Sequence, residues 1–139
     1  MAYLLGQERT RRERLLWALY SRVYDLLWDA PLTSAVARQV ALQITPGSSL
    51  LEVGAGTGLC SRELLAIAGS LEAAEPDERM ALRFSDRVPG VAPLPMSIEE
   101  IGESQYDHVV AVNVVHLTND PATAVTHLRA ACRPDGTVV

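Results

Sequence analysis

Three glycines at alternate positions are the residues best suited to bring a ligand close to the backbone. They stand in the run Glu52-Val53-Gly54-Ala55-Gly56-Thr57-Gly58, between an apolar segment at 49–53 and a helical pattern that starts at Leu59. Glycine adopts the backbone angles of a tight turn and places no Cβ between the chain and a ligand, while the start of a helix presents amides. The spacing predicts a loop over which a ligand passes.

An acidic residue follows the next apolar segment. Glu75 closes the segment 71–75 and stands 21 positions after Gly54. A carboxylate at that place can accept hydrogen bonds from the two adjacent hydroxyls of a ribose. Alone, Glu75 is equally consistent with a surface acid. Together with the glycine loop, it predicts a nucleoside ligand.

The spacing of the glycines discriminates between two nucleoside ligands. A dinucleotide loop has the pattern Gly-x-Gly-x-x-Gly or Ala, whereas Leu59 occupies the last position here. Glu52, two residues before Gly54, would repel a pyrophosphate and suits a ligand with a cationic amino group. A nicotinamide-dependent dehydrogenase is therefore disfavoured.

The run 52–58 resembles the first motif of the class I S-adenosylmethionine-dependent methyltransferases. Four further segments are similar to parts of that family: 74–80 to the second strand and its acid, 97–101 to the loop that frames the adenine, 106–113 to the fourth strand, and 128–137 to the helix and turn before the fifth. The resemblance covers about residues 48–139. It implies S-adenosyl-L-methionine as the cofactor and a methyltransferase activity.

The resemblance also implies which residues bind the cofactor. They are Tyr24, Glu52, Gly54, Ala55, Gly56, Gly58, Glu75, Pro76, Met80, Ser97, Ile98 and Asn113. By this resemblance Glu52 would bind the methionyl amino group directly or through water, the glycine loop would pass beneath the cofactor, and Glu75 would bind the ribose. Pro76 and Met80 would flank the adenosine.

Ser97 departs from the family's pattern, and Tyr24 has a second interpretation. Many members have an aspartate where this chain has Ser97, so the Ser97 hydroxyl and the Ile98 amide would contact the adenine. Tyr24 lies in the segment 20–25, which resembles a Tyr-Asp segment of a lid over the site. Packing is the rival interpretation for Tyr24.

Methyl transfer from a sulfonium needs alignment and exclusion of water more than a protein nucleophile. The sequence is consistent with such a reaction, because it contains no motif that pairs a catalytic nucleophile with a base. His116, three residues after Asn113, is the candidate base if the acceptor must lose a proton, although a structural role is the commoner one for a single loop histidine. No metal site is expected, because His116, Asp120, His127 and Cys132 offer no ligand pair on one helical turn.

These residues need a framework of alternating strands and helices. The periodicity predicts helices at 15–27, 34–42, 59–68, 77–84 and 121–132, and strands at 49–53, 71–75, 91–94, 107–112 and 136–139. The order predicts a Rossmann-like, three-layer α/β/α sandwich with a mainly parallel sheet and two N-terminal helices, ending at the fifth strand. Residues 1–45 are expected to form a helical lid or cap region, and residues 46–139 the cofactor-binding core of the same domain.

Composition excludes several classes of function. The chain has 139 residues, enough for one domain, and its 48% hydrophobic and 21% charged residues exclude disorder and a membrane span. All 12 basic residues are arginines, so a Schiff-base lysine and a P-loop lysine are absent. A net charge of −5 leaves no basic surface typical of nucleic-acid binding, and the first residues show no secretory signal, so a cytoplasmic protein is expected.

The acceptor half of the site is less defined than the cofactor half. We expect a small-molecule acceptor, with no preference for methylation at carbon, nitrogen or oxygen. Members of the family usually carry two more strands after the fifth, so the alternative is a truncated or non-catalytic S-adenosylmethionine-binding domain. The bare edge of the last strand also predicts a homodimer that covers it.

Overall fold

The computed structural model describes residues 31–103 and 105–139. Its elements, in chain order, are α1 (Pro31–Ala41), β1 (Ser49–Val53), α2 (Leu59–Leu65), β2 (Ser70–Ala74), α3 (Glu78–Arg87), a 3₁₀ turn (Ile98–Glu100), β3 (Tyr106–Val110), a second 3₁₀ turn (Val115–Leu117), α4 (Pro121–Ala131) and β4 (Cys132–Val138). The first predicted helix and Tyr24 lie outside the described residues.

The four strands form one parallel sheet in the order β2-β1-β3-β4. The chain leaves β1 for β2 on one side and then crosses back to β3 on the other side, so the strand order reverses at β1. In such a sheet the ligand site lies beyond the carboxyl ends of the strands at this point of reversal. The predicted parallel α/β architecture is confirmed.

The side chains of β1 are buried on both faces of the sheet and alternate between two apolar clusters. Leu51 and Val53 pack on one face with Leu128 of α4, while Leu50 packs on the other face with Val40 of α1. The second face also holds Cys60 and Leu64 of α2. Helices therefore cover both faces of the sheet, and α1 belongs to the common core. The division of the chain into a lid at 1–45 and a core at 46–139 stays a prediction.

The predicted strand at 91–94 is wrong as a full strand. Only Leu94 pairs, through a single parallel bridge to Ala74 beside β2. The Leu94 N–H donates to Ala73 O at 2.8 Å and the Glu75 N–H donates to Leu94 O at 2.9 Å. The Met96 N–H donates back to Leu94 O at 2.8 Å, so the chain turns away from β2 directly after this bridge.

The last strand is interrupted where the sequence predicts a turn. Cys132 pairs with Tyr106, and Thr137 pairs with His108, so residues 133–136 bulge out of the ladder. β4 is an outer strand of the described sheet. A homodimer across this edge stays a prediction. The helices of residues 31–103 and 105–139 include no candidate for a membrane span.

Candidate functional site

The loop between β1 and α2 has the backbone that its glycines predict. Gly54, Gly56 and Gly58 have φ angles of 69°, 58° and 81°. These left-handed conformations cost other L-residues about 1–2 kcal/mol each. Three such angles within five residues explain why glycine recurs at every second position.

The surroundings of the three glycines differ. A Cβ on Gly54 would lie 2.5 Å from Val114 Cγ2, and a Cβ on Gly58 would lie 2.7 Å from Val88 Cγ2. A Cβ on Gly56 would meet no described atom within 4 Å. The loop is therefore closed by protein at Gly54 and Gly58 and open at Gly56. A ligand that passes over the loop can make its closest approach at Gly56.

Several amides of the loop are already bonded within the protein. The N–H groups of Gly54 and Ala55 donate to Ala74 O at 2.8 and 3.1 Å, which ties the loop to the end of β2. The Gly56 N–H donates to Glu75 Oε2 at 2.8 Å. These amides stabilise the shape of the loop, and the open surface at Gly56 remains for a ligand.

Glu75 lies at the carboxyl end of β2, directly beside the loop. Its Oε2 atom accepts from Gly56, and its Oε1 atom accepts from the Asp77 N–H at 2.8 Å. The side chain is 7% exposed. Asp77 in turn caps α3 by accepting from the N–H groups of Arg79 and Met80. The carboxylate that was predicted to bind a ribose is thus held in place by the loop and by the start of α3.

Glu52 is the most buried acid near the loop, at 2% exposure. Strand alternation places it on the Leu50 face, below the first turn of α2, where it accepts hydrogen bonds from the Ser61 hydroxyl and the Cys60 thiol. Burial raises the pKa of Glu52 to about 7, an effect that those two hydrogen bonds oppose and the nearby Glu75 carboxylate reinforces. Burial also raises the pKa of the Cys60 thiol.

No salt bridge to Glu52 is formed by the described part of the chain. A buried carboxylate without a cation is costly when ionised. A ligand that brings an ammonium group to this place would favour the ionised form. Ser61 and Cys60 were not among the predicted site residues. Their position in the helical turn after the glycine loop is the sequence signal that could have identified them.

The predicted adenosine and adenine residues lie on the elements that follow β2. Pro76 is half-buried, and Met80 is buried in the first turn of α3. Ser97 begins the first 3₁₀ turn, where its hydroxyl accepts from the Glu100 N–H and its own N–H donates to Glu100 Oε2 at 2.7 Å. The Ser97 hydroxyl also hydrogen-bonds to the Glu100 carboxylate, and the Ser97 N–H together with this hydroxyl lowers the pKa of Glu100. Ile98 is buried beneath it.

Asn113 and His116 follow β3, at the same end of the sheet as the glycine loop. Asn113 has a φ of 57°, the one positive value among the described residues other than glycine. His116 is exposed in the second 3₁₀ turn. The other two histidines have structural partners, since His108 Nε2 accepts from the Thr45 N–H and His127 Nδ1 lies 3.3 Å from Ile101 O. Within residues 31–103 and 105–139, no group of three acidic, histidine or cysteine side chains is placed to hold a metal ion.

Comparison with known proteins gives the family. A family model described as a methyltransferase domain matches residues 51–138. The hybrid PKS-NRPS synthetase lepA of Aspergillus flavus is 30% identical over 141 residues, which cover 90% of this chain and 4% of the synthetase. The chain spans 3–6% of the length of the curated relatives it matches. The match is thus to one region within much larger proteins.

Two solved structures show the same fold. A Methanococcus maripaludis protein assigned to the S-adenosyl-L-methionine-dependent methyltransferases aligns with a TM-score of 0.74 and 17% identity, over 96% of this chain and 65% of the other. The DhpI–SAH complex aligns with a TM-score of 0.69 and 22% identity, over 87% of this chain and 60% of the other. Nothing in these matches favours the alternative of a non-catalytic binding domain. The chain belongs to the methyltransferase domain family and has the fold of the class I S-adenosylmethionine-dependent methyltransferases, as its sequence predicts.

Proposed function

We propose that the domain transfers the methyl group of S-adenosylmethionine, the cofactor of its family, to a small-molecule acceptor. One observation carries the proposal: two buried carboxylates, Glu52 and Glu75, lie beside a glycine loop whose surface is open at Gly56. The ligand class that suits this arrangement has a ribose at one end and a cationic amino group at the other.

Each acid has a distinct part in the proposal. Glu75 is held by two backbone amides at 2.8 Å and accepts from the ribose hydroxyls. Glu52, whose pKa burial raises to about 7, gives up its proton when the methionyl ammonium binds. Pro76 and Met80 flank the adenosine, and Ser97 and Ile98 contact the adenine. The remaining residues of the proposed cofactor site are Tyr24 and Asn113.

S-adenosylmethionine supplies a methyl group that is already activated by its sulfonium. The chain has to orient the acceptor in line with the breaking carbon–sulfur bond and exclude water. His116 is exposed at the carboxyl end of β3, the end at which the glycine loop lies, and is proposed to take a proton from an acceptor that must lose one.

A small-molecule acceptor fits the charge and the relatives of the chain. The net charge is −5, which offers no attraction to a nucleic-acid backbone. The curated relatives are two hybrid PKS-NRPS synthetases and a highly reducing polyketide synthase, whose names refer to the synthesis of small molecules. The acceptor proposed here is of that size class.

Calorimetric titration with S-adenosylhomocysteine and with NAD tests the cofactor. We expect the chain to bind S-adenosylhomocysteine and not NAD, and Glu75→Gln to weaken that binding about 30-fold, since it removes a charged acceptor from the ribose. Asp86→Asn, an equal change of charge at an exposed position of α3, is the matched control. Binding of NAD alone would refute the proposal. A screen for radiolabelled methyl transfer to small molecules then tests the acceptor.

A further inference from the structure

The last turn of α3 supports the glycine loop at Thr57, one residue after the Gly56 amide that bonds to Glu75. Arg87 Nη1 donates to the backbone carbonyl oxygen of Thr57 at 2.9 Å and to the Thr57 hydroxyl oxygen at 2.5 Å. Thr57 is 2% exposed and stands between Gly56 and Gly58. One guanidinium group therefore holds the centre of the loop through both its backbone and its side chain.

The same turn of α3 also packs against the next residue of the loop. A Cβ on Gly58 would lie 2.7 Å from Val88 Cγ2 and 3.0 Å from Phe84 Cδ2. Phe84 and Val88 are fully buried, and they contact Ala55 in the same apolar cluster. The loop thus rests on an apolar base, and Arg87 adds a polar attachment to it.

Glu75 is another polar attachment of the loop, in addition to the Gly54 and Ala55 amides that bond to Ala74 O, and it is the one proposed to contact the ribose. Both of its oxygens already accept backbone N–H groups, from Gly56 and Asp77. Each of these oxygens can accept a further hydrogen bond from a ribose hydroxyl. The attachment at Arg87 involves no atom of Glu75 and can persist when the ligand arrives.

We infer that Arg87 is a positioning residue for cofactor binding, acting through Thr57 to keep the glycine loop in its ligand-accepting shape. The inference rests on the proposed function, because it takes the ligand to be S-adenosylmethionine. Arg87 makes no contact with the ligand in this scheme. Its loss lowers affinity because binding must then order the loop.

Titration with S-adenosylhomocysteine tests the inference, with Arg87→Gln, Arg87→Lys and Thr57→Val as variants. We expect Arg87→Gln to raise Kd about tenfold, the effect of losing one charged hydrogen bond. Lysine can donate to one of the two Thr57 oxygens, so Arg87→Lys should restore part of the affinity. Thr57→Val removes only the hydroxyl bond and leaves the backbone carbonyl bond, so it should raise Kd less than Arg87→Gln and have little further effect beside it.

Arg38→Gln is the matched control, since Arg38 is exposed on α1 and its loss changes the charge equally. Urea unfolding of every variant separates affinity from stability. A lower stability of Arg87→Gln with a Kd within twofold of the native value would overturn the inference, because a purely structural contact behaves in that way. If Arg87→Gln does not fold, native affinity in both Arg87→Lys and Thr57→Val overturns it instead. Failure of the native chain to bind S-adenosylhomocysteine would refute the proposed function itself.

Discussion

Replacing Glu52 by glutamine should make the unliganded domain more stable above pH 7 while it weakens cofactor binding. The side chain is 2% exposed and accepts from the Ser61 hydroxyl, a bond that the carbonyl oxygen of glutamine can also accept. Glutamine has nearly the same volume and no charge. The substitution therefore removes the ionisation of Glu52 and leaves its packing in place.

The size of the effect follows from the pKa. Burial raises the pKa of Glu52 from 4.5 to about 7, so between these values the native state holds a proton that the unfolded chain has lost. The free energy of unfolding must then fall as pH rises through this window, and the loss is complete above pH 7. A shift of that size corresponds to about 3 kcal/mol, of which about 2.5 kcal/mol lies between pH 5 and pH 8.

Urea unfolding at pH 5 and pH 8 measures the effect. The difference in unfolding free energy between Glu52→Gln and the native chain should grow by about 2.5 kcal/mol from pH 5 to pH 8. Other titrating groups cancel in this difference, and Asp86→Asn, at an exposed position, should show no such growth. A difference that stays constant within about 1 kcal/mol would show that Glu52 is ionised in the native state and would refute the reasoning.

Two further predictions concern the same site. The first assumes that a bound ammonium group returns the pKa of Glu52 from about 7 to 4.5. S-adenosylhomocysteine should then bind about 40-fold more tightly at pH 7 than at pH 5, and its binding should release a proton. Calorimetry in buffers of different ionisation enthalpy detects that release. Affinity independent of pH would contradict this. Gly54→Ala should cost about 3 kcal/mol in urea unfolding, because its Cβ meets Val114 at 2.5 Å, whereas Gly56→Ala should cost about 1 kcal/mol from its φ angle alone. Equal losses would show that Val114 does not constrain the loop.

The glycine loop, the acid after the second strand and the alternation of strands with helices were all predictable from the amino-acid sequence. These features are readable because their requirements are local. A positive φ favours glycine wherever it occurs, and burial on a strand or a helix produces a periodic pattern of apolar residues. Gly54, Gly56 and Gly58 all have the predicted backbone, and Glu75 lies beside them as the spacing implies.

The sequence was less informative where an element depends on its neighbours. The segment 91–94 has the composition of a strand, yet only Leu94 joins the sheet, because the chain turns at once and the Met96 N–H donates back to Leu94 O. The roles of the predicted site residues, Tyr24 and His116 included, stay predictions that the binding experiments address.

The surroundings of the two acids and of the loop depend on contacts between segments that are distant in the sequence. The sequence places Ser61 and Cys60 in the turn after the glycine loop, but only the packing brings them to Glu52. Nothing in the local sequence indicates that Val114 covers Gly54, or that Arg87 reaches Thr57 across 30 positions. The protonation of Glu52 depends on the same packing, because a pKa is set by the water that neighbouring atoms exclude and by the charges they bring close. Local residue types specified the chemistry available to this site, and contacts between distant segments specified its shape and charge.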